Sequence, residues 1–101
     1  GRAAHGTATD NLQDILVAAR DGLIETLLIA ERASQFGTFS DESGSTVQNN
    51  TKIDGDVDLI DLATLRTLNT GGDVLVFEPD KLPGQMQIGA LLRAPITAAA
   101  P

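Results

Sequence analysis

Residues 12–30, LQDILVAARDGLIETLLIA, decide the fold class, because their hydrophobic pattern changes character across one glycine. Leu12, Ile15, Leu16 and Ala19 recur at i, i+3, i+4 and i+7, which lays one apolar stripe along a helix. Thr9 or Asp10 can cap that helix, with Gln13 or Asp14 in the first turn, where the helix dipole favours acidic charge. Gly22 stands just past Arg20, in the position where a left-handed residue ends a helix. The run Leu23–Ala30 follows at once. A short apolar run closed by charge predicts an interior strand covered on both faces.

Downstream, Phe36 and Phe39 flank Gly37, which predicts a strand with a bulge over residues 34–40. Asp41-Glu42-Ser43-Gly44 is a turn, and the polar Ser45–Asn49 is its returning arm, suited to a sheet edge. After a polar connection, a second helix is predicted from Asp56 or Val57 to Leu68. Its apolar residues (Val57, Leu59, Ile60, Leu62, Ala63, Leu65, Leu68) cover more than one face, so it is buried on two sides or meets a neighbour with its second face. Asp73–Phe77 is a third short strand, Pro83-Gly84 a turn, and Ile88–Arg93 a last strand. Helices interleaved with strands in this order predict a mixed sheet with helices packed on it. Residues 9–96 form one domain, residues 1–8 a linker or appended remnant, and residues 97–101 a tail.

Composition narrows the function. The chain has 101 residues, a formal net charge of -7 and only seven basic residues, dispersed along its length. With no Trp or Tyr it also lacks base-stacking platforms, so direct nucleic-acid binding is disfavoured. The absence of cysteine reads as cytoplasmic, and no apolar run is long enough to span a membrane. His5, the single histidine, lies in the presumed linker, where no packing positions it as a catalytic base. Asp54, Asp56 and Asp58 copy the first half of a calcium loop. The Gly and Glu that such a loop requires are replaced by Leu59 and Leu65, so these aspartates read as solvated charge at a helix start. Gly71-Gly72 follows a helix rather than preceding one, which suits a C-terminal cap and not a phosphate cradle. Neither a cofactor nor a metal is expected, and no catalytic residue is assigned.

Several segments together carry a resemblance: Asp21–Ile29, Phe36–Phe39, Asp58–Ala63, Thr67–Val74, and Pro83 before Gly89–Arg93. In this order they resemble the C-terminal domain of the bacterial relatives of archaeo-eukaryotic peptide-chain release factors. The resemblance implies a three-layer α/β/α sandwich with a mixed sheet, like the third domain of those factors and of the Pelota-type proteins, and shared with the kink-turn-binding ribosomal proteins. In the release factors this domain docks a partner, notably a translational GTPase, while peptide release belongs to a Gly-Gly-Gln tripeptide elsewhere. No Gly-Gly-Gln occurs in this chain. The RNA-binding branch of the fold starts a helix with Gly-Asn-Glu, which is also missing.

The expected role is therefore docking of a protein partner or neighbouring domain, with ribosome contact through the full-length protein. Val57, Ile60, Leu65, Leu68 and Arg93 are the candidate partner-binding residues. An RNA-binding module of the same fold is the alternative, and part of an enzyme completed by another domain or subunit is the second alternative.

Overall fold

A computed structural model describes residues 7–82, 84 and 86–93. In chain order the elements are β1 (Ala8–Thr9), α1 (Leu12–Arg20), β2 (Ile24–Ala30), β3 (Phe36–Phe39), β4 (Thr46–Asn49), β5 (Val57–Asp58), α2 (Leu59–Asn69), β6 (Asp73–Phe77), a 3₁₀ turn (Pro79–Lys81) and β7 (Ile88–Leu92). The main sheet has the order β1-β7-β2-β6, with β2 and β6 parallel and the other pairs antiparallel. It is mixed, as expected. A smaller antiparallel sheet, β4-β3-β5, fills the connection between β2 and α2.

Helix α1 starts later than the sequence pattern suggests. Asn11 is its N-cap, and the Asn11 side chain accepts from the backbone N–H of Asp14 at 2.9 Å. The stop is as expected: Gly22 has φ +73°, and the Leu23 N–H reaches back to the Ala18 carbonyl. Ile15, Leu16, Ala18 and Ala19 are then turned inward.

Both helices use the same face of the main sheet. Ile15, Leu16 and Ala19 of α1 share one buried cluster with Leu59, Ile60 and Ala63 of α2. Leu27 and Ile29 of β2, with Ile88 and Ala90 of β7, complete it. Side chains alternate along a strand, so Thr26 and Leu28 point the other way and are only half-buried. The expected coverage of β2 on both faces therefore holds for one face only. Among the described residues the architecture has a helical layer on one side of the sheet, and no third layer covers the other.

Two local expectations are corrected. Phe36–Phe39 pairs with Thr46–Asn49 in unbroken register, so β3 has no bulge. The register shift falls instead in β2, between Ile24 and Thr26, which leaves Glu25 out of the pairing with β7. Val57, expected in the first turn of the second helix, is extended and pairs with Gly37. Asp58 is the N-cap of α2, so the helix begins at Leu59. Thr7 and β1 also belong to the sheet: the Leu92 N–H donates to the Thr7 carbonyl at 2.9 Å.

Candidate docking surface

The start of α2 is fixed by one carboxylate. An Asp58 oxygen accepts from the Ile60 N–H at 3.0 Å and from the Gln35 N–H at 3.1 Å, while the Leu59 N–H donates to the Gln35 carbonyl at 2.7 Å. These bonds cap the helix and tie it to the entry of β3. With its rotation set in this way, α2 buries Leu59, Ile60, Ala63 and Thr67. Leu65 and Leu68 stay 60% and 53% exposed, and a spacing of three makes them neighbours on the helix surface. Asp61 lies on the same stripe, four residues earlier, and is exposed.

The five expected partner-binding residues thus separate. Val57, Leu65 and Leu68 are at the surface, whereas Ile60 is 3% exposed and belongs to the core. The Arg93 guanidinium donates to the Gly22 carbonyl at 3.3 Å and to the Thr70 carbonyl at 3.0 Å. It ties the end of β7 to the ends of both helices and has no carboxylate partner among the described residues.

Basic residues that look scattered in the sequence meet in space. Arg20 and Arg66 line one hollow with Asp41 and Thr70, and Arg93 donates to the Thr70 carbonyl. Their donors are engaged: Arg20 on Asp21 and the Asp41 carbonyl, Arg66 on both Asp41 oxygens. Arg66 also stands 6.0 Å above the Phe39 ring centre. The cluster clamps the β3–β4 turn onto the helix ends.

This clamp gives a pH signature. Hydrogen bonds from Arg66 hold the Asp41 carboxyl below its ordinary value of 3.8. A depressed folded-state pKa contributes stability that is complete above the ordinary value and fades as pH falls through the folded one. Asp41→Asn should therefore flatten the acid limb of stability. The urea midpoint of the variant should fall less steeply below about pH 4 than that of the parent. Parallel acid limbs would count against this role.

The aspartates at 56 and 58 are structural ligands of the backbone. Asp56, 7% exposed, accepts two bonds from the Asn49 side-chain amide and one from the Ile53 N–H, closing the loop before β5. Asp58 is the cap described above, and Asp54, Asp61 and Asp73 are exposed. His5, and Pro83 of the expected Pro83-Gly84 turn, lie outside the described residues.

A second apolar surface was not found from the sequence. Cross-strand partners share a face, so Leu28, Leu75, Gly89, Thr26, Leu91 and Ala8 lie together on the outer side of the main sheet. Leu75 is 48% and Leu91 45% exposed. The Met86 side chain lies over Gly89, with its Cε 2.9 Å from where a Cβ would stand. The run Leu27-Leu28-Ile29-Ala30 suits a strand with two covered faces equally well, which is why the exposed side gave no signal.

No family model matches this chain, and no curated protein matches it. Solved structures do. The C-terminal domain of a peptide chain release factor from Methanosarcina mazei superposes with a TM-score of 0.66 at 13% identity, covering 94% of this chain and 74% of that one. A chain in a model of ribosome-bound archaeal Pelota and ABCE1 superposes with a TM-score of 0.60 at 19% identity, covering 95% of this chain and 23% of that one. Identities this low establish likeness of fold: this chain has the fold of a release-factor C-terminal domain. Among the described residues no helix is long and apolar enough to cross a membrane.

Proposed function

We propose that this domain is the partner-docking part of a release-factor-like translation protein, working in the cytoplasm in association with the ribosome and without catalysis of its own. The observation that carries this reading is the combination of a release-factor C-terminal fold with an exposed Leu65–Leu68 ridge on α2. Adjacent exposed leucines offer apolar area that a partner can bury. The second comparison supports the ribosomal setting, since that structure is of ribosome-bound Pelota and ABCE1. One histidine at position 5 and no cysteine leave little for nucleophilic or acid–base chemistry. Direct RNA binding is the weaker reading, because Arg20 and Arg66 are committed to carboxylates in a chain of net charge -7.

The test uses the full-length protein that carries this domain, recovered from its own cells by an affinity tag. Ribosomal proteins or a translation factor should co-purify with it. Leu65→Glu combined with Leu68→Glu should lower that recovery about tenfold, the effect of losing one well-placed apolar anchor. Because both side chains are exposed, stability should change by about 1 kcal/mol or less. A partner set without translation components would overturn the assignment.

A further inference from the structure

Strand β6 is one of the two edge strands of the main sheet, and no described residue pairs with its outer side. The Phe77 carbonyl accepts from the Glu31 N–H at 2.7 Å, so the backbone groups of Phe77 face β2. Those groups alternate along a strand, which turns the N–H and C=O of both Val74 and Val76 outward. Edge strands are usually guarded by charge, proline, a bulge or brevity. The other edges in this fold follow that rule: β1 and β5 have two residues each, and β4 is the polar TVQN. β6 is DVLVF, in regular register with β2 from Asp73 to Phe77, and its only guard is the charge of Asp73 at its start. Its Leu75 and Val76 are 48% and 61% exposed on opposite faces.

Charge selects the occupant. Asp73 opens the strand and Glu78 follows it. If a second copy paired antiparallel, centred on Leu75, Asp73 would stand opposite Phe77 of that copy and one residue from its Glu78, which gathers two carboxylates at each end of the pairing. Gathering carboxylates in this way opposes the association of two copies that each carry a net charge of -7. A foreign strand with Lys or Arg at its ends meets the same carboxylates favourably.

We propose that the outer edge of β6 receives an added β-strand from another protein, one that alternates apolar residues and is flanked by basic ones. The incoming backbone bonds the outward groups of Val74 and Val76, and its apolar side chains lie against Leu75 on one face and Val76 on the other. This deepens the partner-docking reading and rests on it.

The probes are two synthetic peptides, KVTVTVK and EVTVTVE, titrated into the isotope-labelled chain and followed by amide NMR and hydrogen exchange. KVTVTVK should bind saturably and slow exchange at the Val74 and Val76 amides, and EVTVTVE should bind about tenfold more weakly or not at all. Val76→Pro removes an outward donor that β2 does not use, and should weaken KVTVTVK about tenfold. Should that variant fail to fold, Val76→Lys adds charge at an exposed position and should weaken KVTVTVK similarly. Equal binding of both peptides, binding without protection at Val74 and Val76, or no binding overturns the proposal. So does protection of those amides on raising the chain's own concentration, which identifies a second copy as the occupant. If the peptides fail while the full-length protein still recovers translation components, the edge proposal alone falls. If KVTVTVK binds while no translation component is recovered, the translation assignment alone falls.

Discussion

Gly37→Ala should cost about 3 kcal/mol or more of folding stability, with the damage beginning in the small sheet. Gly37 has ordinary extended backbone, so its need for glycine comes from crowding. A methyl group there would run into the Val47 carbonyl oxygen, and it would stand 2.9 Å from Leu59 Cδ1. The first neighbour is backbone in the adjacent strand, which can yield only by breaking the register between Phe36–Phe39 and Thr46–Asn49. The second is the first residue of α2, fully buried in the core cluster. Relief by either route disturbs the helix start that Asp58 and Gln35 hold in place. For a domain of this size, about 3 kcal/mol corresponds to a melting temperature lower by roughly 12–24 °C. Thermal melts followed by circular dichroism measure it. A melting temperature within a few degrees of the parent would show that β4 moves away without cost.

The same glycine shows how far the sequence could be read. Its position between two phenylalanines marks a break in an ordinary strand, and a bulge is the usual local cause. The real cause is a contact with residue 47, ten positions away, and no local pattern encodes it. Val57 is a similar case. Val57, Ile60 and Leu68 fit a helical spacing, yet Val57 is held extended by pairing with Gly37, so a non-local partner overrides propensity. Helix α1 was legible because it depends on local terms: a single stripe at 3.6 residues per turn and a glycine just past its end.

For the candidate surface, the wide apolar spread of α2 announced more apolar residues than one buried face takes up, and the structure buries only part of them. Which residues serve which use depends on where α1, β2 and β3 stand around it. That arrangement assigns Ile60 to the core and leaves Leu65 and Leu68 outside. The open edge of β6 was hidden for a related reason. DVLVF reads as a buried strand, and its place at the end of the sheet order is set by topology rather than by its own residues.

The glycine pair after α2 carries the second large effect, and its two members should respond differently. Gly71 has φ +87°, with only Arg93 Nη2 near a would-be Cβ, at 3.6 Å. Gly71→Ala therefore meets open space in a left-handed backbone, a cost of about 1 kcal/mol. Gly72 lies outside the left-handed region but has no room: a Cβ would stand 2.5 Å from the Ile24 carbonyl oxygen and 2.7 Å from Thr67 Cγ2. Ile24 borders the bulge of β2, and Thr67 is fully buried with its hydroxyl donating to the Ala63 carbonyl at 2.8 Å. Gly72 also donates its N–H to the Thr67 carbonyl at 2.8 Å, so it cannot withdraw from that side chain without losing the bond that closes α2. Gly72→Ala should cost about 3 kcal/mol, roughly three times the neighbouring change. Urea unfolding of the two single variants separates the causes. Equal losses would mean that backbone conformation alone sets the requirement at this turn. A larger loss at Gly72 would mean that β6 is held against β2 by close approach, which keeps the proposed strand-accepting edge straight.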